Sequence, residues 1–128
     1  MDFLKISWAD SNIECINIEY DLATLTIWND ALKTRVTVQC SGFAGITNLC
    51  IWDDTIILTA EVNPANNDDP FVRNLYTEYD KNYDYGGRNL SNGLLELRIE
   101  LVNHIAFSVY CQKIDVTVTE KTGDDSVS

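Results

Sequence analysis

Leu95-Glu96-Leu97-Arg98-Ile99-Glu100-Leu101 carries an apolar residue at every odd position and a charged one at every even position. Side chains of an extended chain point alternately to opposite faces, so this stretch reads as a strand with its leucines and isoleucine turned inward. Glu96, Arg98 and Glu100 then share the solvent face. The chain beyond repeats the rule: Ile105, Phe107, Val109 and Cys111 face inward across from His104, Ala106, Ser108 and Tyr110, and Ile114, Val116 and Val118 continue the pattern. A hairpin around Val102 and Asn103 joins the first two runs, so three consecutive strands are expected to close the fold.

Working outward, residues 35–42 alternate in the same way, with Val36, Val38 and Cys40 opposed to Arg35, Thr37 and Gln39. Residues 13–20 and 22–28 are rich in β-branched and aromatic types and read as two further strands. Residues 46–52 suit a shorter one. Residues 56–62 begin apolar on both faces, which predicts a central strand covered on each side. One segment departs from this periodicity. Asp68-Asp69-Pro70 marks a helix start, with Asp69 as N-cap and Pro70 at the first helical position, and Phe71, Val72, Leu75 and Tyr79 recur at helical spacing to about Lys81. Gly86-Gly87 and Asn92-Gly93 mark turns on the way back to the sheet.

These elements predict a mainly β fold of about eight strands with one α-helix, arranged as an antiparallel β-sandwich or partly open barrel. The alternative is an α+β arrangement with the helix packed on a curved antiparallel sheet. No Pro-, Gly- or Ser-rich linker divides the chain, so residues 1–121 read as one β-rich domain and residues 122–128 as a flexible polar tail.

The formal charge of −11 sets a long-range field that repels phosphate backbones and anionic lipid surfaces, so neither nucleic acid nor membrane is an expected partner. The same field favours encounter with a basic protein, and it also keeps a protein soluble. No run approaches the ~18 apolar residues of a membrane span. The first eight residues lack a basic segment followed by a long apolar one, so a reducing cytoplasmic setting is expected, with Cys15, Cys40, Cys50 and Cys111 as free thiols. No Cys-x-x-Cys, phosphate-binding glycine loop, Gly-x-Ser-x-Gly or His-Glu-x-x-His motif is present, and no cofactor is expected.

Trp-x-Asp recurs at Trp8-Ala9-Asp10, Trp28-Asn29-Asp30 and Trp52-Asp53-Asp54. The spacing is too short for the ~40-residue period of a propeller. The plain reading is that each tryptophan ends a strand and each aspartate supports the following turn. A sharper reading gathers Asp10, Asp30, Asp53 and Asp54 at one end of the sandwich as oxygen ligands for calcium. His104, the single histidine, is the one residue suited to general acid or base work near neutral pH, and its hairpin position reads as a solvated turn. Glu96 and Glu100, with Arg98 between them, read as charge patterning on a solvated face.

Between residues 76 and 85 four tyrosines interleave with Glu78, Asp80 and Asp84. Tyrosine buries a large rigid ring at low entropic cost and keeps a hydroxyl for hydrogen bonding, and neighbouring carboxylates steer a basic partner. Tyr76, Glu78, Tyr79, Asp80, Tyr83 and Asp84 are therefore the candidate partner-binding residues; the plainer role for these rings is to cover the sheet and the loop after the helix.

The runs Leu25-Thr-Ile-Trp-Asn-Asp30, Val36-Thr-Val-Gln-Cys40 and Ile51-Trp-Asp-Asp-Thr-Ile-Ile-Leu58 resemble small uncharacterised bacterial β-rich proteins of the toxin-immunity type. That resemblance implies an inhibitor of one specific toxin and transfers no functional residue. The expected function is thus a non-enzymatic acidic protein-binding domain, an immunity-type inhibitor of a basic partner. The alternative is a small-ligand-binding barrel or sandwich lined by Trp28 and Trp52. Exposed edge strands could also pair between copies, which allows a homodimer.

Overall fold

The computed structural model describes residues 3–47, 55–82 and 93–119, with backbone alone for residue 4 and residues 79–82. Strands β1 (Asn12–Glu19), β2 (Leu22–Asn29), β3 (Thr34–Ser41), β4 (Gly45–Ile46) and β5 (Ile57–Pro64) precede helix α1 (Pro70–Asn82). Strands β6 (Leu95–Leu101), β7 (Ala106–Cys111) and β8 (Lys113–Val118) follow it. They form two four-stranded antiparallel sheets, ordered β1-β2-β3-β8 and β4-β7-β6-β5. The chain crosses to the second sheet after β3 and returns at β8, a sandwich rather than a barrel.

Alternation places the core. Ala23, Leu25 and Ile27 of β2 and Val36, Val38 and Cys40 of β3 are buried with Leu97, Ile99 and Leu101 of β6 and Phe107, Val109 and Cys111 of β7 in one apolar cluster. Burying a Val, Leu, Ile or Phe side chain contributes about 1.5–3 kcal/mol, so these facing residues dominate the fold's stability. A 3-10 turn, Phe3–Lys5, closes one end of the core: Phe3 stacks on Trp8 with ring centroids 4.7 Å apart, and the Trp8 indole N–H donates to the Phe3 carbonyl at 3.1 Å.

The helix begins where the sequence places it. Asp69 Oδ1 accepts the Phe71 N–H at 2.8 Å, satisfying one of the free amides of the first turn, and Pro70 opens the helix. Its apolar side rests on the outer face of the second sheet. Gly45 permits the approach, since a Cβ there would lie 2.9 Å from Leu75 Cδ2 and 3.4 Å from Phe71 Cζ.

Three expectations are corrected. The strand at residues 56–62 lies at the edge of its sheet, not the centre. The register slips between Ile57 and Thr59, so Leu58 is the extra residue of a bulge and is exposed, while Ile56 makes an isolated bridge to Asn12. A two-faced apolar run here records a bulge rather than cover on both sides. Second, Trp8 follows a 3-10 turn and ends no strand. Third, β7 is buried on both faces, because Ser108 and Tyr110 on the polar side are covered as Phe107 and Val109 are on the other. Of the strand expected at residues 46–52, Ile46 lies in β4 and residues 48–52 fall outside the described residues. The turns at residues 86–87 and the tail at residues 122–128 fall outside them as well.

Candidate functional site

Helix α1 covers only part of the outer face of the second sheet. Val72, Leu94 and Tyr110 form a small buried cluster there, with Ala44, Ala65, Phe71, Leu75 and Tyr76 packed against it. The Phe71 and Tyr110 rings sit 5.3 Å apart at 42°. This second apolar layer holds the Tyr110 ring in place and leaves its hydroxyl at the margin of the helix.

At that margin Glu96 meets two hydroxyl donors. Its position opposite Tyr110 in the β6–β7 register puts both side chains on the outer face. Ser108 Oγ donates to Glu96 Oε2 at 2.6 Å and Tyr110 Oη donates to the same oxygen at 3.2 Å. Ser108 is fixed in turn, since its N–H donates to Thr47 Oγ1 at 2.9 Å and its carbonyl accepts the Thr47 N–H at 2.9 Å. Burial, and then the charge of Glu96, push the Tyr110 hydroxyl up to about 12. It therefore remains a donor throughout the physiological range.

Charge on this face is unevenly matched. Arg98 Nη1 lies 3.7 Å from Glu100 Oε1, and His104 Nδ1 lies 3.3 Å from Glu100 Oε2. Among the described residues no lysine or arginine forms an ion pair with Glu96. A half-buried carboxylate oriented by two hydroxyls can accept a further charge-assisted hydrogen bond from an incoming cation. The expected solvated face is thus corrected at Glu96, which is partly covered and bonded to Ser108 and Tyr110; Glu100 is also partly covered.

The sequence-derived candidates divide. Tyr76 is half-buried on the helix side that meets the sheet, and Glu78 is exposed. Tyr79 and Asp80 belong to α1, where residues 76 and 80 stand one turn apart; their side chains lie outside the described residues, as do Tyr83 and Asp84 entirely. Glu96, Ser108 and Tyr110 were absent from that candidate set. Their only sequence signal is a glutamate and a tyrosine on the polar faces of two strands joined by a hairpin, which becomes a site only once the register aligns them.

The first two Trp-x-Asp segments do meet at one end, but through other atoms, and Trp52-Asp53-Asp54 lies outside the described residues. Asn29, fully buried, donates from Nδ2 to the Ser7 carbonyl at 2.9 Å and accepts the Leu32 N–H on Oδ1 at 2.8 Å. Ser11 Oγ accepts the Asp30 N–H at 3.1 Å, and Thr55 Oγ1 donates to Asn12 Oδ1. Asp30 itself pairs with Lys33 at 2.9 Å. Asn29, rather than an aspartate, organises the turn. Among the described residues no group of three or more His, Cys, Asp or Glu could hold a metal ion, and Asp53 and Asp54 lie outside them.

Two further candidates are settled by position. His104 occupies a left-handed turn position with φ 70° and is largely exposed, the solvated turn expected for it. Trp28 does not line the space between the sheets, because its neighbours Ile27 and Asn29 take the inward positions. It lies on the outer face beneath the Arg35 guanidinium, 6.0 Å from the ring centroid, with Arg35 held by Glu14 at 2.7 Å. Trp52 lies outside the described residues. Among those residues no helix is long and apolar enough to cross a membrane. Comparison with protein-family models, curated proteins and solved structures finds no match to this chain.

Proposed function

We propose that this chain is a non-enzymatic protein-binding domain that receives a basic partner on the acidic, aromatic surface formed by α1 and the adjoining face of β6 and β7. The supporting observation is Glu96, a half-buried carboxylate aligned by Ser108 and Tyr110 with no lysine or arginine paired to it among the described residues. A lysine or arginine delivered by a partner would complete this arrangement, and Glu78 and the net charge of −11 would steer its approach. An immunity-type inhibitor of a toxin, acting in the cytoplasm, is the specific form proposed. Capture from lysate of the source organism on the tagged full chain, washed at low and high salt, tests this reading. One basic protein held at low salt in near-equal amount and released at high salt supports it; capture of acidic or salt-insensitive partners alone contradicts it.

A further inference from the structure

We propose that Cys40 and Cys111 form an oxidisable dithiol that closes to a disulfide bridging the two sheets. Cys40 lies on β3 of the first sheet and Cys111 on β7 of the second, and both side chains are fully buried in the shared core. Their chain neighbours are tied together, since the Gln112 N–H donates to the Ser41 carbonyl at 2.9 Å where β7 crosses over into β8. Both thiols belong to the same buried apolar cluster between the sheets. A backbone hydrogen bond between their immediate neighbours and a shared core place the two cysteines on neighbouring strands of opposite sheets, the placement that a bridging disulfide requires. The third described cysteine, Cys15, is exposed on the edge strand β1.

The environment fixes the route of closure. Interaction with the Cys111 thiol, and then burial, hold the Cys40 thiol well above the usual thiol range, so Cys40 stays protonated in the native state, and both thiols are shielded from solvent. Closure then proceeds during folding or through an opened state. A low-molecular-weight disulfide serves as oxidant. One cysteine, as thiolate, attacks it, forming a mixed disulfide and releasing one thiolate; the second cysteine, as thiolate, displaces the other half. The two protein thiols lose two protons and two electrons, and the reagent's S–S bond is reduced to two thiols. The product fastens one sheet to the other and restricts the unfolded chain over the long segment between them.

The test is equilibration of the full chain carrying Cys15→Ser and Cys50→Ser in a glutathione redox buffer, once under native conditions and once in urea, followed by acid trapping and mass spectrometry. The Cys40–Cys111 bond is expected at an effective concentration on the order of a hundredfold higher under native conditions, with the oxidised form melting on the order of 10 °C above the reduced form. Equal or lower effective concentration in the native buffer overturns the proposal. Should the double variant not fold, peptide mapping of the wild-type chain refolded in the same buffer decides the matter. Predominance of the Cys40–Cys111 linkage sustains it, and predominance of other pairings or of free thiols overturns it.

Discussion

Tyr110 and Glu96 stand opposite each other across β6 and β7, and the tyrosine hydroxyl donates to the Glu96 carboxylate at 3.2 Å. The folded state holds the Tyr110 proton up to about 12, against 10 for an ordinary tyrosine. Between those values the unfolded chain releases a proton that the native chain keeps, so this contribution to stability is complete below pH 10 and is lost as pH rises towards 12. Urea denaturation across this range should show a slope that Tyr110→Phe reduces. An unchanged slope in the variant would remove the assigned role.

Ser108→Ala deletes the shorter of the two donors to Glu96 and leaves a half-buried carboxylate with one hydroxyl. A loss of about 1–2 kcal/mol is expected in equilibrium unfolding. Glu96→Gln keeps the shape and an acceptor oxygen, so its effect on stability should be smaller, within about 1 kcal/mol.

Asn29→Ala should be more damaging than Asp30→Ala. It removes a fully buried amide and leaves the Leu32 N–H and the Ser7 carbonyl without their part-buried partner, and about 1–2 kcal/mol is expected. Asp30→Ala, which removes an exposed pairing with Lys33, should cost under about 0.5 kcal/mol. Parallel denaturation of the two variants ranks them, and the reverse ranking would contradict the account of this turn.

Gly42 has φ 63°, and a Cβ there would lie 2.8 Å from Gln112 Cβ. Gly42→Ala therefore combines a left-handed backbone with a clash at the crossover between sheets, and a loss of about 2 kcal/mol or more is expected from thermal unfolding.

The strands were legible because alternation survives wherever one face meets the core, as at Leu97, Ile99, Val36 and Val38. Helix α1 was legible from Asp69 and Pro70, whose chemistry is local. What failed depended on distant partners. Leu58 is apolar yet exposed because of a bulge that only pairing with β6 defines. Ser108 and Tyr110 alternate as surface residues, yet α1 packs on Tyr110 from outside the sheet, and Ser108 is buried with Thr47 and Glu96 bonded to it. Glu96 likewise carries no mark in its own strand, since its meaning comes from the residue opposite. Asn29 was read as the variable middle of a Trp-x-Asp pattern, whereas its two-sided amide suits it to join a carbonyl on one side and an amide on the other.

The central claim is that Glu96 and the surrounding surface receive a basic protein. The most direct measurement is quantitative capture from lysate by the wild-type chain and by Glu96→Gln, with both baits shown by circular dichroism to be equally folded. The account predicts that a basic protein retained by the wild type at low salt falls by about tenfold or more with Glu96→Gln. Equal recovery on the two baits would contradict it.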